Sequence, residues 1–375
     1  MSRQILLMGS VAGLAACGIG LLLDPRAMLA SYLTAWFAVA AIPIGALGVV
    51  FTAYLVRGGW TQDLHEPLTR AALLTPVAGL LFIPVLLGLS AIYPWTGSNI
   101  ELPTFKALYL TPLFFVLRSV GYFAIWSALA LWARHAYCER GRMERAAAIG
   151  LIMWVPTISF AGIDWIESIE SKFHSSVYGL LILSFTLLAA LAFGLVAILV
   201  RGRPRRMANT AYAGVLLSVL LIWAYLHAMQ YIIIWAGNIP DEVIWYAVRS
   251  ERGWAIALWV LFLGQFIVPF FALLSARVRA STRALISVAA VTLVLRYLES
   301  AVLILPPLDL APVAFVLCLP AAIVVTGAVF LLAWDVEERV LARFGLSGTA
   351  RGKRQPADAA AEERNGDYRG AGEHA

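Results

Sequence analysis

Uncharged apolar runs of about 20 residues recur along this chain, and a helix rising about 1.5 Å per residue needs that length to cross about 30 Å of hydrocarbon. Inside a bilayer the backbone finds no water, so each such run closes its own hydrogen bonds as an α-helix. Of the 375 residues 61% are hydrophobic and only 13% charged. An average soluble domain carries about 25% charged residues, and a soluble core of this size could not hide so much apolar surface. Soluble α/β folds are thereby excluded. The expectation is an all-α, polytopic membrane protein with about ten transmembrane helices.

Candidate spans fall at 5–23, 28–56, 70–94, 107–133, 146–163, 176–200, 208–235, 253–276, 283–304 and 311–334, giving a transmembrane region of 1–335 and a tail of 336–375. One set of connections holds Arg57, Arg70, Arg134, Arg140, Arg142, Arg145, Arg201, Arg203, Arg205, Arg206, Arg277, Arg279 and Arg283. The alternate set holds only Arg26, Lys106, Lys172, Arg249 and Arg252. By the positive-inside rule the first set and both termini face the cytoplasm, with the acidic, aromatic turns outward. The net charge of +6 therefore reads as topology and not as nucleic-acid binding. From Gly345 onward the tail is too polar to bury a core and is expected to be disordered. Cys17, Cys138 and Cys318 are scattered singly, which offers neither a zinc nor an iron–sulfur ligand set. The stretch Leu14–Cys17 resembles a lipoprotein cleavage site, but the apolar run continues to Leu23 and favours an uncleaved helix.

Ionisable groups at membrane depth cost at least about 2.5 kcal/mol each on insertion scales and survive when paired or when lining a path. Arg118 interrupts the fourth span, with Tyr122 one turn away on the same face. In the seventh span Trp223, His227, Gln230 and Tyr231 fall on one helix face and form a polar stripe. In the ninth, Arg296 and Glu299 are spaced to pair. Gln265 stands four residues before Pro269 in the eighth. Counted along each helix, Arg118 and Gln265 come out near mid-membrane, and His227, Arg296 and Glu299 in the outward half. The competing reading of each group is a lock between neighbouring helices, but a titratable ring beside an amide and a phenol suits proton or quinol chemistry. A b-type haem needs paired intramembrane histidines, and His227 is the one histidine placed well inside a span, so no haem is expected.

Two outward stretches carry further information. The fifth span ends in Asp164-Trp165-Ile166-Glu167-Ser168-Ile169-Glu170, whose three carboxylates are spaced to fan over one helix surface. The seventh ends in Trp235-Ala236-Gly237-Asn238-Ile239-Pro240-Asp241-Glu242, followed by Trp245 and Tyr246. Gly237 and Asn238 tolerate a left-handed turn, and Pro240 prevents the helix from continuing. Taken singly, the tryptophans and tyrosines read as an interfacial aromatic belt. Together the stretches resemble the F subunit of bacterial alternative complex III, a relative of the polysulfide-reductase-type membrane anchors. The second motif runs Ala224-Tyr225, Gln230-Tyr231, Ile233-Ile234-Trp235, Gly237-Asn238, Pro240-Asp241-Glu242 and Trp245-Tyr246. The first departs from the family pattern at Ser171, where proline is expected, and at Phe173, where tryptophan is.

The resemblance implies two four-helix bundles plus two helices, and a subunit without haem or cluster of its own. It further implies neighbours: a homologous quinol-binding membrane subunit, an iron–sulfur subunit and multihaem cytochromes. The expected function is that of an integral membrane subunit of a quinol-oxidising respiratory complex, with Arg118, His227, Gln230, Arg296 and Glu299 lining a proton path or quinone site. No cofactor is expected on this chain alone, although a quinone or quinol fits the chemistry. Rival readings are a quinol-binding anchor of another periplasmic oxidoreductase and a secondary transporter.

Overall fold

The structure, a computed structural model, describes residues 3–56, 60–97, 104–138, 143–202, 208–251 and 253–343. Arg57, Arg140, Arg142, Arg203, Arg205, Arg206 and Arg252 lie outside the described residues, as do 344–375 of the expected tail. Residues 1–333 form one compact unit and 334–375 a second, in whose described part the last helix carries an Asp335–Arg339 pair at 2.7 Å.

Among the described residues ten helices are long and apolar enough to cross a membrane: Arg3–Leu23, Pro25–Val56, Thr61–Leu87, Pro112–Ala136, Met143–Ile169, Tyr178–Val200, Asn209–Gly237, Trp254–Leu274, Thr282–Leu308 and Ala314–Arg339. They are numbered here as the first to tenth spans. Cys17 sits within the first as part of an unbroken helix. Two boundaries differ materially from the sequence-based expectation. The third span begins at Thr61, because the helix Thr61–Ala72 is strongly amphipathic and buries Leu64, Leu68 and even Arg70 despite its charges. The fourth begins at Pro112, after a separate short helix Thr104–Tyr109, which puts Arg118 less than two turns from the helix start and not at mid-membrane.

The second and sixth spans are the most buried and pack directly on each other. Around them the second to fifth spans form one four-helix bundle and the sixth to ninth another, with the first and tenth flanking the second. Gly45 lets the central pair approach backbone to backbone, since a Cβ there would stand 1.9 Å from the Thr186 carbonyl oxygen. By contrast the seventh and eighth spans turn most of their surface, including Trp235, Trp259 and Phe271, to the surroundings.

The third span shows how a broken helix survives in lipid. Pro76 cannot donate to the Ala72 carbonyl, and the Thr75 hydroxyl does so instead at 2.7 Å. Further on, Phe82 and Val85 donate to residues three back, which leaves the Ala78 and Leu81 carbonyls without helical donors. Trp36 Nε1 and the Tyr32 hydroxyl, both from the second span, fill these places at 2.9 and 2.8 Å. The carbonyls of Ala72, Ala78 and Leu81 thus each find a side-chain donor in place of the helical one, as hydrocarbon surroundings favour.

Candidate functional site

The acidic-aromatic connections gather at one end of both bundles, and beneath each bundle's end lies a separate buried polar cluster. In the first bundle Asp164, fully buried at the end of the fifth span, accepts from Arg118 Nε at 2.8 Å and Nη2 at 2.9 Å. The Tyr122 hydroxyl donates to the same carboxylate at 2.8 Å, so the two polar residues expected on one face of the fourth span share one acceptor. Arg118 Nη1 donates to the Tyr109 carbonyl, and its guanidinium lies over the Tyr109 ring at 3.8 Å and the Phe114 ring at 4.5 Å. This bidentate geometry fits a planar fork to a carboxylate, and an ammonium could not reproduce it. Trp165 points the other way, donating to Ser119 Oγ at 3.0 Å inside an aromatic cluster with Trp36, Phe123 and Trp126. Tyr93 donates to the Trp165 carbonyl at 2.9 Å; burial, and then Asp164, pushes its phenol well above the usual range.

The three carboxylates of the first motif do not share a helix face. The helix ends at Trp165 and residues 167–169 form a tight 3-10 turn, so the spacing of three no longer maps to one side. Asp164 turns into the first bundle. Glu167 accepts from the Ser175 amide at 3.2 Å and lies near Lys106, which donates to the Ser171 carbonyl at 2.7 Å. Glu170 pairs with Arg249 at 2.7 Å.

Arg249 is the residue that sequence reasoning missed, having read it as a loop charge. Its side chain is fully buried at the end of the helix Pro240–Arg249 and donates to the Val302, Leu303 and Trp245 carbonyls, each at 2.9 Å. The Trp245 ring covers it at 3.7 Å and stacks in turn on Phe173 at 5.8 Å. Through these contacts the two motifs that carry the family resemblance pack on one another. Burial pulls the Arg249 guanidinium below its ordinary range, and the Glu170 carboxylate works against that. Of the turn itself, Asn238 takes the left-handed conformation at φ 46°, and Gly237 does not. Pro240 starts the following helix, with Asp241 and Glu242 in its first turn, where carboxylates suit the helix dipole.

The second cluster lies between the sixth, seventh and ninth spans. Arg296 ion-pairs with Glu299 Oε2, one turn along the ninth span, and both side chains are almost wholly buried. Glu299 Oε1 accepts from Trp223 Nε1 at 2.9 Å and lies 3.3 Å from His227 Nε2. Arg296 Nε and Nη2 have no hydrogen-bond partner among the described residues, and its guanidinium lies over Phe185 at 5.0 Å and Trp223 at 5.4 Å. Further along the same span, the carbonyls of 302 and 303 hold Arg249, so Arg296, Glu299, Arg249 and Glu170 form a column of alternating charge. Tyr178 stands within electrostatic range of Glu299, Arg249, Glu167 and Glu170, bridging the two halves of the column.

Not every expected member belongs. Arg118 is in the other bundle's cluster. Gln230 is buried and its side chain lies beside that of Tyr246, but Tyr231 turns outward and meets Tyr246 edge-on at 5.3 Å. The stripe therefore narrows to Trp223, His227 and Gln230, because a spacing of eight overshoots a 3.6-residue period. His227 is not the most enclosed histidine either: its side chain is 32% exposed, whereas His65 is buried beside Tyr54. Gln265 is buried in a π-helical turn, Phe262–Ile267, where Pro269 cannot donate to the Gln265 carbonyl, and its amide reaches Thr292 Oγ1 at 3.4 Å.

A half-open cleft of about 540 Å³ opens at the same end as the motifs, lined by Glu251, Trp254, Leu305, Pro306, Asp309 and Phe315 among others. Its size and mixed lining suit a small amphiphile or ring system. At the opposite end a smaller cleft of about 170 Å³ gathers Asp63, Glu66, Arg70, Arg201 and Tyr212. Chemically, the column sets two fixed buried cations beside carboxylates and a titratable ring, the kinds of ionisable group that mark functional paths inside membrane proteins. No protein-family model matches the chain, and none of the curated proteins matches it, so its membrane-spanning all-α architecture is what classifies it.

Proposed function

We propose that the chain is a membrane subunit of a quinol-oxidising respiratory complex of the alternative complex III kind, in which the Arg296–Glu299–Arg249–Glu170 column, with His227, carries protons toward the motif-bearing end. The observation that supports this best is the column itself: four charges enclosed among apolar helices, ending at the loops whose sequences resemble the F subunit. The excess of arginine at the opposite end supports a reading in which that end faces the cytoplasm of a bacterial inner membrane and the column's exit faces outward. On this reading the partners are a homologous quinol-binding subunit, an iron–sulfur subunit and multihaem cytochromes. They would dock around a chain that contributes no redox centre. Glu299→Gln and Arg249→Lys, each in the assembly purified from native membranes, should lower proton release per electron during quinol:acceptor turnover. Unchanged turnover and proton release in both variants would refute the path, and purification without redox partners would refute the complex.

A second reading, a quinol-binding anchor for a different oxidoreductase, draws on the 540 Å³ cleft, where Trp254 and Phe315 meet edge-on at 5.9 Å and Glu251 and Asp309 supply acceptors. Photo-crosslinking by an azidoquinone at Trp254 would favour it over the first.

A further inference from the structure

The hydrogen bonds around His227 fix more than its position. Its Nδ1 lies 3.0 Å from the Trp223 carbonyl oxygen, an acceptor only, so Nδ1 carries a hydrogen and donates. Its Nε2 lies 3.3 Å from Glu299 Oε1, which already accepts from Trp223 Nε1. A neutral ring protonated at Nδ1 presents a lone pair at Nε2, and a carboxylate presents lone pairs too; the two would repel. One additional proton must lie between them, making either an imidazolium facing a carboxylate or a neutral imidazole facing a carboxylic acid.

We infer that His227 and Glu299 together form a proton-binding site, and that the arrangement described here is its loaded form. Arg296 adds a fixed positive charge, so the loaded trio carries a net charge of +1 and the emptied trio is neutral. One feature accommodates that extra charge. The Trp223 ring lies 4.4 Å from the His227 ring and also faces Arg296, giving both cations one π surface. The charged and titratable groups that face the pair are Arg296 from its own cluster and Tyr178 from the sixth span, with Arg249 and Glu170 beyond. Among these the cations are both balanced by carboxylates, which leaves the loading proton as the column's one uncompensated charge.

Release is a simple transfer: the Nε2–H bond, or the carboxylic O–H bond, breaks with its electron pair staying behind. The proton passes to a water or to the next acceptor toward Glu170, leaving neutral imidazole and carboxylate. A consequence concerns quinol. Both ring nitrogens of His227 are engaged within the chain, so His227 is a proton holder and does not ligate a quinone carbonyl or quinol hydroxyl. The role of this site in turnover rests on the proton path proposed above; its existence rests on hydrogen-bond geometry alone.

The test uses the full-length protein in native-lipid nanodiscs with ¹⁵N-labelled histidine, His227→Asn identifying the resonance among the five histidines. Infrared difference spectra on H/D exchange report any carboxylic acid. The wild type should show either two protonated nitrogens on His227, or a deuterium-sensitive acid band that Glu299→Gln removes. In Glu299→Gln the ring should carry one proton, at Nδ1, and ubiquinol or menaquinol should leave the resonances in place. A wild-type ring bearing one proton with no such band overturns the inference, without recourse to any variant that fails to fold; so does a ring that shifts on quinol addition. A positive spectrum together with unaltered turnover in Glu299→Gln would keep the site and dispose of the respiratory proton path instead.

Discussion

Replacing Gly45 by alanine tests the packing on which the whole arrangement depends. The added Cβ would meet the Thr186 carbonyl oxygen at 1.9 Å, its carbon at 2.4 Å and Ala190 Cβ at 3.1 Å, where ordinary contact begins at 3.4 Å. The obstacle is backbone of the sixth span, so no rotamer change relieves it, and the central helices must part by about 1.5 Å. Overpacking in cores costs about 1–3 kcal/mol, and a gap of about 0.5–1 Å forfeits a quarter to a half of each dispersion contact along the parted seam. We expect a loss of roughly 3 kcal/mol or more, at the upper end of that range because both helices are buried. Gly18→Ala and Gly121→Ala, where nothing lies within 4 Å, are the controls and should stay within about 0.5 kcal/mol of the parent. Equilibrium unfolding in mixed micelles, followed by tryptophan fluorescence, supplies the comparison. If Gly45→Ala proves as stable as the two controls, the close approach of the second and sixth spans is wrong, and with it the placement of the sixth-span groups beside the column.

Other expectations follow from single contacts. Asp164→Asn leaves the mostly buried Arg118 without its carboxylate and should cost about 3–5 kcal/mol in the same unfolding assay, with Arg118→Lys also destabilising because an ammonium cannot make the bidentate pair. Arg249→Lys should detach the Pro240–Arg249 helix from the end of the ninth span, read as faster proteolysis or hydrogen exchange across 240–249, while leaving the Arg118 cluster intact. Trp36→Phe removes the donor to the Ala78 carbonyl and should cost about 1–3 kcal/mol, the desolvation of an orphaned acceptor. Tyr109, outside the spans, has its phenol pushed up to about 12, by burial first and by Asp164 second. A raised folded pKa means stability is kept below the unfolded value near 10 and lost as pH rises through about 12. Thermal melts of Tyr109→Phe should therefore fall less steeply over that window than those of the parent.

Much of this molecule is legible in its sequence because lipid imposes one rule on every segment. Any run of about 20 apolar residues must be a helix, so the number of spans and the all-α class follow from counting, as does the Arg296–Glu299 pair from a spacing of three. Asn238 and Pro240 likewise announce their turn, since few residues tolerate a left-handed backbone and none but proline lacks the amide. Where side chains leave the helix period, the reading fails. Glu167 and Glu170 part from Asp164 because the helix stops at Trp165, and the third span hides under the charges of Asp63, His65, Glu66 and Arg70.

Partner choice across helices belongs to the tertiary structure. Arg118 and Asp164 are 46 residues apart, and Arg249 and Glu170 are 79 apart. Nothing in either segment alone specifies the other, because the pairing depends on how two spans rotate about their axes and how deep each sits. That rotation is set by small residues such as Gly45 and by the donors that cap broken turns, which act only once the helices are in contact. Local sequence therefore decided what each segment is, and packing decided which charges meet and that two clusters exist where one was expected.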